Sequence, residues 1–329
     1  MLYPLTFQPI FKERVWGRRN LERLYRKPLP PGVPIGESWE ITDRPEGASL
    51  VANGPFAGKD LRWLMEHYTE ELLGPAQAQN GRFPLLIKLL DAQEKLSLQV
   101  HPPARAAARL GGEPKTEMWY IADARPGAEL YAGLRRGVTR AEFERKIKEG
   151  SVADCFHRLP VKPGDVMFLP SGRVHAIGAG LVIFEIQQNS DTTFRVFDWN
   201  RPGLDGHPRE LHLEQSLQSI DFNDFEPSLA KIESQSDEAG AIELRTLATD
   251  PLFSVTSIKV LRGEFFELCG SSVEIIGVLE GRLNAVHRDG ETQLAPGQFC
   301  LKPAGVEPLT LRFQPPVHFL QIEPGVVSR

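Results

Sequence analysis

A mainly β chain of sandwich or barrel architecture, with a few peripheral helices, is what this sequence predicts. Three observations predict it. Turn formers are plentiful and dispersed, with 29 Gly and 27 Pro spread along 329 residues rather than clustered, as expected where many short strands are joined by tight turns. Apolar runs of strand length lie between those turns. And one β-turn-β unit occurs twice: "PGDVMFLPSGRVHAI" begins at Pro163 and "PGQFCLKPAGVEPLT" at Pro296. Pro163/Pro296, Gly164/Gly297, Pro170/Pro303 and Gly172/Gly305 coincide without a gap, the pattern of a duplicated β-barrel motif.

Taken in order, "SWEITD" (38–43), "FPLLIKLLDA" (83–92), "LSLQV" (96–100), "EMWYIADA" (117–124), "DVMFLP" (165–170), "LVIFEIQQ" (181–188) and "TTFRVFDW" (192–199) read as strands. Helices are fewer. Residues 60–74 repeat apolar side chains at helical spacing between an N-cap Asp60 and Gly74. Residues 139–150 open with the Thr139/Glu142 capping box and close at Gly150. Residues 210–220 make a third. The polar, acidic stretch 224–241 reads as a linker. Strand-like runs resume after it: 252–261, 264–268, 273–279, 282–288, 298–303 and 309–313. The expected organisation is thus a first domain over 1–223 with helical insertions, a linker over 224–241 and a second β domain over 242–329.

Bulk properties narrow the function. Hydrophobic content of 41% and charged content of 25% suit a globular protein with a real core. A net charge of −5 and a pI near 6.0 argue against general binding to nucleic acid or to anionic membranes. Three cysteines, Cys155, Cys269 and Cys300, without CxxC spacing, fit a reducing cytoplasm. The start "MLYPLTFQPIFKERVWG" has no leader-like apolar region, and no run is long enough to cross a membrane.

The chemistry-bearing residues lie in four stretches. In "LSLQVHPP" (96–103), Gln99 and His101 are two apart and so share a strand face. In "PKTEMWY", Lys115 and Glu117 do the same. His175 follows the Pro-Ser-Gly turn. Two imidazoles, a carboxylate and an amide oxygen make a mixed N/O set suited to a divalent metal such as zinc, with no thiolate. The alternative is a set of unrelated, hydrogen-bonded polar residues. In the second copy Pro308 stands where the first has His175, so that ligand is missing there. The fourth stretch alternates, with Leu181, Ile183, Glu185 and Gln187 on one face, then offers Asp191, Arg195, Asp198 and Arg201. It reads equally as a barrel strand with a polar interior or as a solvated edge strand.

"LSLQVHPP", "KTEMWYIADARPGAELYAGL", "PSGRVHAIGAG" and "EIQQNSDTTFRVFDWNR" closely resemble, in order and spacing, the type I mannose-6-phosphate isomerases, especially the short bacterial form. The resemblance runs from "VWG" near Trp16 to about residue 222 and is looser beyond. It implies two cupin-type jelly-roll barrels, one zinc ion per chain on Gln99, His101, Glu117 and His175, and a catalytic Arg195. Lys115, Glu185 and Asp191 match polar active-site positions. Ile177 stands where some members have tyrosine. The implied reaction interconverts mannose 6-phosphate and fructose 6-phosphate through a cis-enediol(ate). Ser97 and Arg201 are the candidates for phosphate contact, and a small sugar phosphate is the expected partner. An isomerase of an unphosphorylated sugar and a non-catalytic sugar-binding cupin are the competing readings.

Overall fold

The apolar runs become strands wherever turn formers bracket them. The computed structural model describes residues 1–287, 290–306 and 308–326. In the first part of the chain the strands longer than two residues are β1 (Ile10–Arg18), β2 (Ile35–Ile41), β3 (Leu85–Ala92), β4 (Leu98–Val100), β5 (Glu117–Ala124), β6 (Glu129–Leu134), β7 (Phe156–Pro160), β8 (Val166–Leu169), β9 (His175–Ile177), β10 (Leu181–Gln188) and β11 (Phe194–Phe197). They form a six-stranded sheet in the order β1-β2-β3-β10-β5-β8 and a five-stranded sheet in the order β11-β4-β9-β6-β7. Every residue of β3 and β10 is buried; their apolar side chains fill the cores, and Lys88, Glu185 and Gln187 are the buried polar groups that face the site.

The later strands are β12 (Glu233–Ser236), β13 (Ile242–Asp250), β14 (Phe253–Val260), β15 (Phe265–Leu268), β16 (Glu274–Glu280), β17 (Leu283–His287), β18 (Gly290–Leu294), β19 (Phe299–Lys302), β20 (Leu309–Phe313) and β21 (Val317–Pro324). Their sheets run β12-β13-β14-β21-β16-β19 and β15-β20-β17-β18. This is the connectivity of the first pair, less one strand. The repeat seen in the sequence falls at equivalent places. β8 and β19 are both edge strands, pairing with β5 and β16. The glycines before them have similar positive φ, 89° at Gly164 and 76° at Gly297, which a Cβ would disfavour.

The predicted strands are present, each end within three residues of the expected one; Arg288, at the end of the run 282–288, lies outside the described residues. β1, β6, β7, β9, β12, β13, β18 and β21 were not foreseen. β12, within the acidic stretch, is exposed along its whole length. With no buried face it carries no apolar alternation to read. The helix expected over 60–74 is two, Leu61–His67 and Thr69–Leu73, broken at Tyr68. Asp60 caps the first by accepting from Trp63 N–H at 2.7 Å. Arg140–Glu149 has the foreseen caps, Thr139 and a left-handed Gly150. The third helix spans Leu213–Ser219. No helix among the described residues is long and apolar enough to cross a membrane.

One large core includes Leu5, Ile87 and Phe184 from the first part of the chain and Phe253, Phe299, Leu301 and Ile322 from the last. Leu5 and Leu301 exchange both backbone hydrogen bonds at 2.8 Å. A smaller core fills the space between the first two sheets, with Leu90, Trp119, Ile121, Leu130, Ile177 and Ile183 among its members. The candidate site lies at one end of that space.

Candidate active site and metal centre

Strand register brings the foreseen residues together. Gln99 on β4 lies opposite His175 on β9 and opposite Arg195 on β11. On the facing sheet Glu185 of β10 lies between Lys88 of β3 and Trp119 of β5, and Gln187 lies opposite Glu117. His101 follows β4 and Lys115 precedes β5.

The Pro-Ser-Gly turn holds these segments in place. Arg173 N–H closes it on Pro170 O at 3.1 Å, and Gly172, at φ 98°, donates to His101 O at 2.9 Å. Ser171 Oγ accepts from Lys115 N–H at 3.0 Å. One short turn thus ties together the residues leading to Glu117, to His101 and to His175.

His101, Glu117 and His175 are buried, and their ligating atoms all lie within 4.8 Å of one another. His101 Nδ1 faces Thr192 O at 2.7 Å and His175 Nδ1 faces Arg173 O at 2.9 Å. Each Nδ1–H donates to a backbone carbonyl, which leaves the Nε2 lone pair directed inward. The two Nε2 atoms lie 3.5 Å and 3.4 Å from the Glu117 carboxylate oxygens. His101 Nε2 and Glu117 Oε1 are buried without a hydrogen-bond partner, while Glu117 Oε2 has the Lys115 ammonium at 2.8 Å. Buried polar atoms are rarely left so, and a cation between them would satisfy both. Burial, and after it the neighbouring His101, lowers the His175 pKa to about 3; burial and Lys115 lower that of His101. Both rings are therefore neutral, as a ligand requires. Burial would raise the Glu117 pKa, but the Lys115 ammonium holds it well below the usual carboxylate range. The Gln99 amide nitrogen is 3.2 Å from His175 Nε2. A half-turn of that amide presents its oxygen instead, and the Ser97 hydroxyl, 3.3 Å from Gln99 Oε1, can pair with either end. The donor set fits a divalent metal.

A cavity of about 550 Å³ opens above this centre, walled by Gln99, Lys115, Glu185, Asp191 and Arg195. Ser97 also lines it. Lys115 Nζ contacts Glu117 at 2.8 Å and Glu185 at 3.7 Å as ion pairs. Burial would lower its pKa, but those carboxylates raise it above the ordinary value. Glu185 is held on both sides, with Trp119 Nε1–H donating to one oxygen at 2.8 Å and Lys88 3.5 Å from the other. Lys88 also reaches Asp191 at 3.4 Å. Arg195 donates to Glu210 O at 2.8 Å, and its buried Nε has no partner. Burial and nearby Arg209 lower its pKa.

Arg201 is not part of the cavity wall. It pairs with Asp198 at 2.9 Å, and the same carboxylate holds Arg209 at 2.6 Å, which does line the cavity. Arg14, Glu37, Lys88 and Arg209 are cavity residues that sequence reasoning missed. Arg14 Nε and Trp39 Nε1 hold Glu37 at 2.6 Å and 2.7 Å. Lys88 shares a strand face with Leu86 and Leu90 in an apolar run, so only its charge could have marked it. Arg209 sits in a loop, where no periodicity marks a face.

Comparison with known proteins agrees with this geometry. The family model described as phosphomannose isomerase type I, catalytic domain, matches residues 5–126. The probable mannose-6-phosphate isomerase GmuF of Bacillus subtilis is 38% identical over 264 residues, covering 79% of this chain and 81% of that protein. The mannose-6-phosphate isomerase ManA of the same organism is 43% identical over 220 residues, 66% of this chain and 68% of that one. The crystal structure of a mannose 6-phosphate isomerase from Bacillus subtilis superposes with a TM-score of 0.88 at 31% identity, covering 98% of this chain and 100% of that one. The mainly β architecture with few helices is the cupin fold of these enzymes. Likeness in sequence and in backbone over nearly the whole length establishes that this chain belongs to the type I phosphomannose isomerase family.

Proposed function

We propose that the chain is a zinc-dependent aldose–ketose isomerase. It interconverts mannose 6-phosphate and fructose 6-phosphate through a cis-enediol(ate), with one zinc ion on Gln99, His101, Glu117 and His175. The observation that carries this reading is the buried cluster of His101, Glu117 and His175, with His101 Nε2 and Glu117 Oε1 left unpartnered, beside a cavity walled by Lys115, Glu185 and Arg195. Neutral imidazoles and a carboxylate without thiolate favour zinc over softer choices.

The ion, when bound, supplies Lewis-acid polarisation of the sugar oxygens. The side chains supply the rest. Lys115, kept protonated by Glu117 and Glu185, acts as a fixed cation and donor in ring opening. Arg195 does not give up its proton, so it stabilises the negative charge of the enediolate and aligns the substrate. Glu185 and Asp191 are the carboxylates in the wall able to carry the proton between C2 and C1. The phosphate is held by Ser97 and by the Arg201–Asp198–Arg209 group, through Arg209 on the cavity side. Arg195, whose Nε is unpartnered, is the cation of the wall most open to a phosphorylated sugar. Catalysis belongs to residues 1–223, with 224–241 as the connecting segment. Residues 242–329, of which 327–329 lie outside the described residues, form the β unit without the ligand set.

The test is metal analysis of the purified protein together with a coupled assay for fructose 6-phosphate. His101→Ala is expected to lose most bound zinc and most activity while keeping its far-UV spectrum. Activity persisting in metal-depleted His101→Ala protein overturns the zinc assignment.

A further inference from the structure

A second hollow, of about 860 Å³, lies between the helix Asn20–Tyr25 and the outer face of the sheet β15-β20-β17-β18. Its polar lining includes Arg26, Arg282, Arg312, Asn284, Gln293 and Gln298, and among the described residues no Asp or Glu lines it. Strand register arranges this face. Asn284 on β17 lies between Arg312 on β20 and Gln293 on β18. Leu283 lies opposite Phe313, so Arg282, which shares the outward face with Asn284, is diagonal to Arg312. Leu283, Ala285, Leu311 and Phe313 alternate with these residues and point into the core.

Arg26 stands on the opposite wall. It closes its helix at φ 54° and ψ 32°, the left-handed conformation usually given to Gly or Asn. Among the described residues, none of the three guanidinium groups has an ion pair or a side-chain hydrogen bond. Many arginines elsewhere are paired, as in Arg140–Glu144, Arg145–Glu149 and Arg173–Asp224. Two acidic residues share this sheet face: Glu291 is turned to the Asn284 amide at 3.3 Å, and Glu267 on β15, opposite Thr310, is diagonal to Arg312 without pairing with it.

We propose that this hollow is a second binding site, separate from the isomerase centre, for a small metabolite carrying two or more phosphoryl groups. Guanidinium groups match phosphate oxygens in bidentate fashion, and amide N–H groups complete such contacts. Cations on both walls suit an anion with more than one charged group. The volume is that of a small-molecule site, and the walls come from two separate elements.

The test uses the full chain with its metal. Adenosine diphosphate is titrated calorimetrically with mannose 6-phosphate at saturation, and adenosine monophosphate serves as the comparison. One saturable diphosphate site per chain is expected, with the monophosphate weaker. The exposed pair Arg282→Gln/Arg312→Gln is expected to weaken diphosphate binding at least tenfold while kcat/KM of isomerisation stays unchanged. Absence of saturable binding, equal affinity in the double variant, or full displacement by mannose 6-phosphate overturns the proposal. Variant-sensitive binding of a polyglutamate peptide without any of the diphosphate overturns it in favour of an acidic protein segment.

Discussion

Arg195 and His318 show how one environment, burial, acts differently on different side chains. Arg195 is in the cavity wall with a buried, unpartnered Nε. Lost hydration weakens its hold on the proton, but a guanidinium remains a cation. It is thus positioned to meet charge that appears only during reaction. Arg195→Ala is expected to keep its metal and lose about a hundredfold or more in kcat; kcat near the parent value excludes the role. His318, on β21, pairs with Ser257 Oγ at 2.7 Å. Burial lowers its pKa to about 4; nearby Glu280 opposes the shift and Lys259 adds to it. The unfolded chain binds this proton near pH 6.5 and the folded chain does not. Its stabilising contribution is therefore full above pH 6.5 and declines as pH falls toward 4. In His318→Gln the urea midpoint should fall less between pH 7 and pH 5 than in the parent; an equal fall removes His318 from the acid limb.

At the scale of elements, the two copies of the Pro-small-Gly turn have diverged in what they hold. In the first, Ser171 and Gly172 bind Lys115 and His101. In the second, Ala304 has no hydroxyl, and the turn's N–H groups reach Leu72 O and Glu71 O at 3.0 Å and 2.9 Å. The same turn orients ligands in one place and docks a helix in the other. Ser171→Ala removes the acceptor for Lys115 N–H, so metal affinity should drop about tenfold to a hundredfold with the fold intact; unchanged affinity in a chelator competition contradicts this. The turn was legible as Pro-Ser-Gly, and the strands bearing Gln99 and Glu117 were legible as apolar runs. β9, only three residues long and buried on all of them, was too short for periodicity to mark. The helix 60–74 read as continuous because its apolar spacing continues across Tyr68, where the backbone turns away at ψ 31°.

Across the whole molecule, the second sandwich resembles the first with the His101–Glu117–His175 cluster replaced. β5 begins at Glu117, opposite Leu169, and β16 begins at Glu274, opposite Lys302. Leu169 and Lys302 are equivalent positions of the repeat. Glu274 therefore stands where the ligand carboxylate stands, and the fully buried Lys302 lies 3.1 Å from it. Lys302 also donates to Gly270 O at 2.6 Å. An internal ammonium occupies this carboxylate, which explains how a buried glutamate persists without the other ligands. The two sandwiches share the core that contains Phe184 and Phe299, with ring centroids 5.6 Å apart. Phe299→Ala should cost ~3–5 kcal/mol. Fluorescence and circular dichroism should then shift together in one urea transition. Separate transitions would mean that the shared core does not couple the two parts.

The sequence by itself determined the β architecture, the internal repeat, the same-face pairs Gln99/His101 and Lys115/Glu117, and the proline, Pro308, that stands in the second copy where the first has His175. Those follow from strand alternation and turn chemistry, which are local. Only the tertiary structure decided that these pairs meet His175 between two sheets, that Lys88 and Arg209 enter the cavity, and that Arg201 stays behind Asp198. Such facts depend on register between strands far apart in the chain. Register is set by how whole faces pack, and no short stretch of sequence carries it.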